Sequence, residues 1–333
     1  MRKTGLFAMA MVAMACSEAP TAPARDLDVS AVVNPNHPTV QAVETIYAVT
    51  SGNQLISFQS GSSTASTSVT ISGLGGETAL GIDFRPSDIR HIGFPRNNIG
   101  VLYVLTSGSR VCVLDPATGA ASRCVRLVTS TGTLVNVSGT SFGIGFNPVP
   151  DRLRTHSDTD QNLRINVDDG VTIVDGPLAY AAIDRNVVAN PEVVGTCYTN
   201  NDADPATGTE LYGIDVGLDV LVEFGPASAV GVVPATGPNS GQLLTVGSLA
   251  VNTVQAGCDI SNATQIAYAS LNIHQGSAFV PGPGLFALDL EGGAAVRIGG
   301  LPSTAQPIVS IAVSPSSTGP APVVTGTTTG HRR

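Results

Sequence analysis

The sequence predicts an all-β protein, a β-propeller of five four-stranded blades closed into a ring by its C-terminal strand. Three observations carry that expectation: a strand centred on tyrosine that recurs at a fixed spacing, a small-residue strand ahead of it, and an uneven count of strands at the two ends. Tyr47, Tyr103, Tyr212 and Tyr268 each sit second in a short apolar strand (Ile46–Val49, Leu102–Leu105, Leu211–Ile214 and Ala267–Ser270). Arg154 takes that place in Leu153–His156. From Tyr47 to Tyr268 there are four steps of about 55 residues each. A period of that size marks a repeat architecture in which each unit buries its apolar face only against a neighbour.

Each tyrosine strand is followed by a second one: Leu55–Phe58, Val111–Leu114, Leu163–Val167, Leu221–Phe224 and Leu285–Leu288. A further strand follows at Ser68–Ile71, Cys124–Val128, Val171–Val174, Leu243–Val246 and Ala295–Ile298. The strand ahead of the tyrosine reads Gly81–Pro86, Gly143–Pro148, Gly195–Asn200, Ser248–Asn252 and Ser310–Pro315. Small residues where the chain turns in, and Pro or Asn where it leaves, suit the crowded innermost strand of a blade. The first repeat lacks an inner strand, and Ile308–Val313 has no blade after it. Pairing the two completes the first blade and removes two exposed edges. A sixth blade follows only if 180–194 hides one.

The chain has 333 residues, 42% of them hydrophobic, with 37 Gly and 22 Pro. Charge is sparse at 12% and the net is −9. Lys3 is the only lysine, so the remainder has no lysine chemistry to offer. An acidic chain without a basic patch predicts no nucleic-acid partner. With no Trp and only 5% aromatic residues, sugar stacking is weakly supported too.

Residues 1–15 read as an export signal: Arg2-Lys3, then the apolar run Leu6–Ala15, too short to span a bilayer. Small residues before Cys16 resemble a bacterial lipoprotein cleavage box, in which that cysteine is lipidated. The alternative is an ordinary secretory signal with a chance cysteine. Lipidation predicts a membrane anchor at Cys16, and Ser17 after it suggests the outer membrane, or otherwise the periplasmic face, as the destination. Losing Arg2 and Lys3 takes the net charge from −9 to −11. Residues 16–41, rich in Ala, Pro, Asn and Thr, read as a flexible tether, 42–315 as the propeller, and 316–333 as a disordered tail. The other cysteines are Cys112, Cys124, Cys197 and Cys258. An even number in an exported chain predicts disulfides with three pairings open. Cys112 and Cys124 flank the turn Asp115–Gly119, which places them on adjacent strands within bridging reach.

The segments GIDFRP, GIGFNPVPDRLRTHSDTDQNLRINVDDG and LYGIDVGLDVLV resemble the bacterial family catalogued as domain of unknown function 4394. The resemblance runs from about Tyr47 to Pro315. It implies a propeller-like fold and an exported context. The family has no established activity, so no catalytic residue carries over from it.

The long central motif, Ser141–Gly170, is the most polar copy of the repeat. It brings Arg152, Arg154, Arg164, Asn166 and Asp168 together as a candidate ligand site. Strand alternation puts Arg152 and Arg154 on one face, and Arg164, Asn166 and Asp168 on one face of the next strand. One register sets Arg154 opposite Arg164, unfavourable unless an anion or carboxylate lies between them. A register shifted by two sets Arg152 opposite Asp168 instead. An ion-pair ladder between blades and a site for a carboxylate ligand are both open; for Arg154, Asp168 and Asp184 are the candidate internal partners. Asp158, Asp160, Asn162 and Asp169 fall at ligand positions of a calcium-loop template, but Leu163 stands where that loop needs Gly. A plain β-turn competes with it, and calcium is the one ion the sequence suggests; no cofactor is required. Asn200–Asp204 is a second acidic loop with the same weakness. Enzyme signatures are thin: His37, His91, His156, His274 and His331 are scattered, and His156 reads as a surface residue at a strand end. Asp83, on an inner strand, suits either a glycosidase-type carboxylate or a bond to neighbouring backbone amides. The functional expectation is a binding or scaffold module for an unknown protein, glycan or small molecule, with a glycan hydrolase as the alternative. Carboxylates converging on a wet axial pocket would favour the enzyme, and a plugged axis the module.

Overall fold

A computed structural model describes residues 43–86, 100–200, 208–225, 237–273 and 283–315. The segments read as signal, tether and tail, with Cys16, lie outside the described residues, as do His37, His91, His274, His331 and Asn201–Asp204. Five small sheets form a ring, a five-bladed propeller. Blade 1 contributes β1 (Thr45–Thr50), β2 (Gln54–Gln59) and β3 (Ala65–Thr70). Blade 2 follows with β4 (Ala79–Arg85), β5 (Val101–Thr106), β6 (Arg110–Leu114) and β7 (Ala121–Arg126). Blade 3 is β8 (Phe142–Asn147), β9 (Arg152–Ser157), β10 (Asn162–Ile165) and β11 (Thr172–Val174). The short β12 (Ala179–Tyr180) leads into blade 4, with β13 (Val193–Tyr198), β14 (Leu211–Asp215), β15 (Val220–Phe224) and β16 (Gln242–Ser248). Blade 5 is β17 (Thr253–Ile260), β18 (Ala267–Ile273), β19 (Gly284–Leu288) and β20 (Ala295–Gly300). The last strand, β21 (Ile308–Val313), pairs antiparallel with β1 and completes blade 1.

Two assignments change. The inner strand of blade 5 is β17, not Ser248–Asn252. Ser248 ends β16, and the chain turns at Ala250, whose φ is +59°, with Leu249 N donating to Asp219 O. The alternation of that short stretch matched a strand, but Gly257 and Asp259 on β17 are the true counterparts of Gly81 and Asp83. Residues 180–194 hide no sixth blade: Ala179–Tyr180 adds a parallel fifth strand to blade 4, beside β16.

Inner strands approach closely at the axis, and glycine permits it. A Cβ on Gly143 would stand 2.9 Å from Thr196 N, and one on Gly257 2.8 Å from Ile311 N. Turn chemistry repeats as well. Asn53, Ser109, Asp160 and Asp219 all take positive φ just before the third strand of their blades. Such polar residues tolerate the left-handed conformation. Asp115, Asn166 and Asp289 each accept, through their side chains, the amide two residues on, and a positive-φ Gly closes each turn at Gly119, Gly170 and Gly293.

Two disulfides form. Cys112–Cys124 joins β6 to β7 inside blade 2, and Cys197–Cys258 joins the inner strands of blades 4 and 5. The first is the bridge its turn made reachable. The second ties two blades together, 61 residues apart in sequence.

Candidate functional site

At each seam the tyrosine position of one blade meets the inner strand of the next. Tyr47 packs edge-on against Phe84, and Tyr103 against Phe146, each with ring centroids 5.5 Å apart. Such pairs contribute about 0.5–1.5 kcal/mol beyond area burial. Between blades 3 and 4 both partners change: Arg154 replaces the tyrosine and Tyr198 the phenylalanine. Arg154 Nε donates to Tyr198 Oη at 2.8 Å. An aromatic pair has become a cation and a hydroxyl acceptor.

Arg154 is 1% exposed, so its charge must be met inside the protein. Nη1 donates to Asn162 Oδ1 at 2.7 Å and Asp175 Oδ2 at 3.1 Å, and Nη2 to Asn239 Oδ1 at 2.6 Å. The register is the one that sets Arg154 opposite Arg164, not the shifted one. The carboxylate it needs is Asp175, which Arg164 grips through Nε at 2.6 Å and Nη2 at 2.9 Å. Neither Asp168 nor Asp184 is the partner. Asp184 instead accepts from Thr245 N and Oγ1 and from Asn186 N.

The candidate set therefore divides between two seams. Arg154 and Arg164 face blade 4. Asp168 lies beyond the end of β10 and turns to blade 2, where Arg85 of β4 takes it at 2.8 and 3.0 Å and Asp151 at 2.7 and 2.5 Å. The Arg85 guanidinium is buried there, and its carboxylate partners hold its pKa above the ordinary arginine value against that burial. Arg152 folds back on Pro150 O and Asp151 O, and Asn166 Oδ1 accepts Asp168 N within its turn.

The four calcium candidates are spread along this hairpin. Asp158 accepts Thr140 N and Oγ1, and Asp169 accepts Val171 N. Asp160 occupies the left-handed turn position, and burial raises its pKa, with the charge of Asp215 adding. The Asn162 oxygen is taken by Arg154. Asp158 and Asp160 lie in the turn ahead of β10, Asn162 opens that strand and Asp169 lies in the turn after it, so the four do not surround one loop. Asn200 Nδ2 donates to Gly208 O.

His156 is not a surface residue: it is fully buried, stacked 4.4 Å from the Phe224 ring. Leu105, Ile214 and Val49 fill its place in other blades, where each pairs with the equivalent inner-strand residue. Burial, and then Arg154, push its pKa well below the ordinary histidine value, so the ring is neutral. Asn162 across the ladder is committed elsewhere, and neither ring nitrogen has a hydrogen-bond partner among the described residues.

At the axis, Asp83 binds backbone amides, one of its two expected roles. Its oxygens accept Phe84 N at 2.7 Å and Phe146 N, in blade 3, at 2.6 Å. Asp259 repeats the pattern with Ile260 N at 2.8 Å and Val313 N, in blade 1, at 2.5 Å. One end of the axis is crossed by Gln255 of blade 5. Its Oε1 accepts Ser141 Oγ of blade 3 at 2.9 Å, and its Nε2 donates to Val309 O of blade 1 at 3.3 Å. Sequence reasoning missed Asp175, Asn239, Asp259, Gln255 and Glu44. Only Asp259 carried a usable signal, the repeat of Asp83 in Gly257-Cys258-Asp259-Ile260.

A family model for the domain of unknown function DUF4394 matches residues 54–312. The chain belongs to that family. No curated protein matches it. Among solved structures, a protein of unknown function from Bacteroides caccae is similar at 9% identity and a TM-score of 0.36, covering 82% of this chain and 99% of that one. Glutaminyl cyclase of Myxococcus xanthus is similar at 10% identity and a TM-score of 0.39, covering 68% and 89%.

Proposed function

We propose that this DUF4394 chain is an exported, lipid-anchored propeller that serves as a binding or scaffold module at the cell envelope. The observation that carries the reading is the crossing of the axis by Gln255, between Ser141 and Val309. A propeller hydrolase would do its chemistry in an axial funnel with approachable carboxylates. Here Asp83 and Asp259 are 4% and 6% exposed and hold backbone amides of the next blade. That leaves the rim loops as the binding surface for a protein, glycan or small molecule. The two disulfides suit an oxidising compartment, and Cys16 after its apolar run suits an acyl anchor.

Two measurements test it. Fatty-acid labelling should mark the wild type and not Cys16→Ala, which should also leave the membrane fraction; equal labelling, or none in either, overturns the anchor. Envelope glycans and peptides should include one that raises the melting temperature without being consumed. Release of new reducing ends from any glycan would overturn the module in favour of the hydrolase.

A further inference from the structure

Both strands that close the ring are tied to blade 5 by a buried carboxylate. Glu44, one residue ahead of β1 and 1% exposed, accepts Tyr268 Oη at 2.7 Å, Thr264 Oγ1 at 3.0 Å and the Ser261 hydroxyl. Asp259, on β17, accepts Val313 N of β21. We propose that this pair is a proton-controlled latch: with a proton held at Asp259 the closure of β1 on β21 is tight, and without it the closure loosens.

The surroundings of Asp259 support this from every side. Strands β21 and β8 bring no ionisable side chain. Strand β13 brings Cys197, bonded to Cys258, and Tyr198, which accepts from Arg154. Strand β14 brings Tyr212, which donates to Glu210, and Asp215, which accepts from Tyr180. Tyr268 of β18 spends its hydroxyl on Glu44. Glu44 and, from β4, Asp83 are the charged groups that face Asp259. Arg85, also on β4, is committed to Asp151 and Asp168 in another seam. Asp259 thus meets two acids and, among the described residues, no cation, while its hydrogen-bond donors are neutral amides.

Burial, with the neighbouring Glu44 charge, outweighs those amides and pushes Asp259 up to about 7. Asp83 moves up as well, through burial and the charge of Asp259. Two carboxylates that repel in this way titrate as a pair. The sign follows from linkage. A folded-state pKa above the unfolded value near 3.9 means the folded ring holds a proton that the unfolded chain has released. Closure is therefore strongest below that window and weakens as pH rises toward and through 7. It weakens at β1–β21 because backbone pairing, the apolar cluster around Ile46 and Ile311 and these carboxylates, not chain continuity, join the two ends there.

Hydrogen exchange of the β1 and β21 amides in the full chain, corrected for intrinsic rates, tests the latch. Between pH 5.5 and 8.5 their protection should fall about tenfold relative to the amides of β9. Glu44→Gln should flatten that fall by removing the charge that repels Asp259, and Asp83→Asn by removing the second buried carboxyl that titrates with it. Asp259→Asn should abolish it; if that variant does not fold, the other two still decide. A flat wild-type profile, protection that rises with pH, or an unchanged fall in both Asp83→Asn and Glu44→Gln overturns the proposal.

Discussion

The seam between blades 3 and 4 and the seam between blades 5 and 1 hold equivalent places in the ring, yet they are fastened by opposite charges. In the first, two guanidinium groups share Asp175, and the apolar cluster beside them draws on blade 4 and the Leu178–Tyr180 segment, with no residue from the strands of blade 3. In the second, two carboxylates face each other with neutral donors, over an apolar cluster that includes Ile46, Phe58, Tyr268, Leu285 and Ile311. A buried arginine cannot shed its charge and must be paired, so its seam is locked at any ordinary pH. A buried aspartate can take a proton, so its seam responds to pH. The repeat sets where a seam lies, and the side chains at two positions set how it behaves.

The closing strand carries the largest expected effect. Deleting Ile308–Val313 removes the inner strand of blade 1 and exposes both β1 and the β17 face. That variant should lose its cooperative melting transition, whereas deleting 316–333 should leave it unchanged. A chain ending before Ile308 that melts like the full one would disprove closure by β21.

Next in size is Arg154→Leu. It strands Asn162, Asn239 and the Tyr198 hydroxyl in the seam, and at about 1–3 kcal/mol for each unmet group denaturant unfolding should show a loss of about 3–5 kcal/mol. Since Asp175 keeps Arg164, the loss should not grow at low pH. Arg154→Tyr restores the repeat but leaves the same acceptors unmet; a single mutant as stable as wild type would mean that Arg154 does not lock this seam.

A third seam calibrates the other two. Replacing both Cys197 and Cys258 with Ala should cost about 2–4 kcal/mol, from lost loop constraint across blades 4 and 5. Smallest is Arg164→Met. Its side chain is 25% exposed, against 2% for Arg154. Loss of its half of the shared pair should cost only about 1 kcal/mol. Equal costs for Arg154→Leu and Arg164→Met would mean that burial does not distinguish the two.

Much of this molecule was determined by the sequence alone. Period, strand order and the missing first inner strand follow from local alternation and from counting, so the five-bladed ring closed by Ile308–Val313 was legible. The Cys112–Cys124 bridge was legible for the same reason, since one turn separates its ends. What only the tertiary structure decided is everything that crosses a seam. Asp175 belongs to no motif and reaches Arg154 because β11 returns the chain to that place. Arg85 leaves its own blade for Asp151 and Asp168, dividing a motif that reads as continuous. His156 looks polar and exposed in one dimension, yet is buried where three of the other blades put aliphatic side chains. Alternation along a strand tells which residues share a face. It carries no information on what the next blade, some 55 residues away, presents to that face.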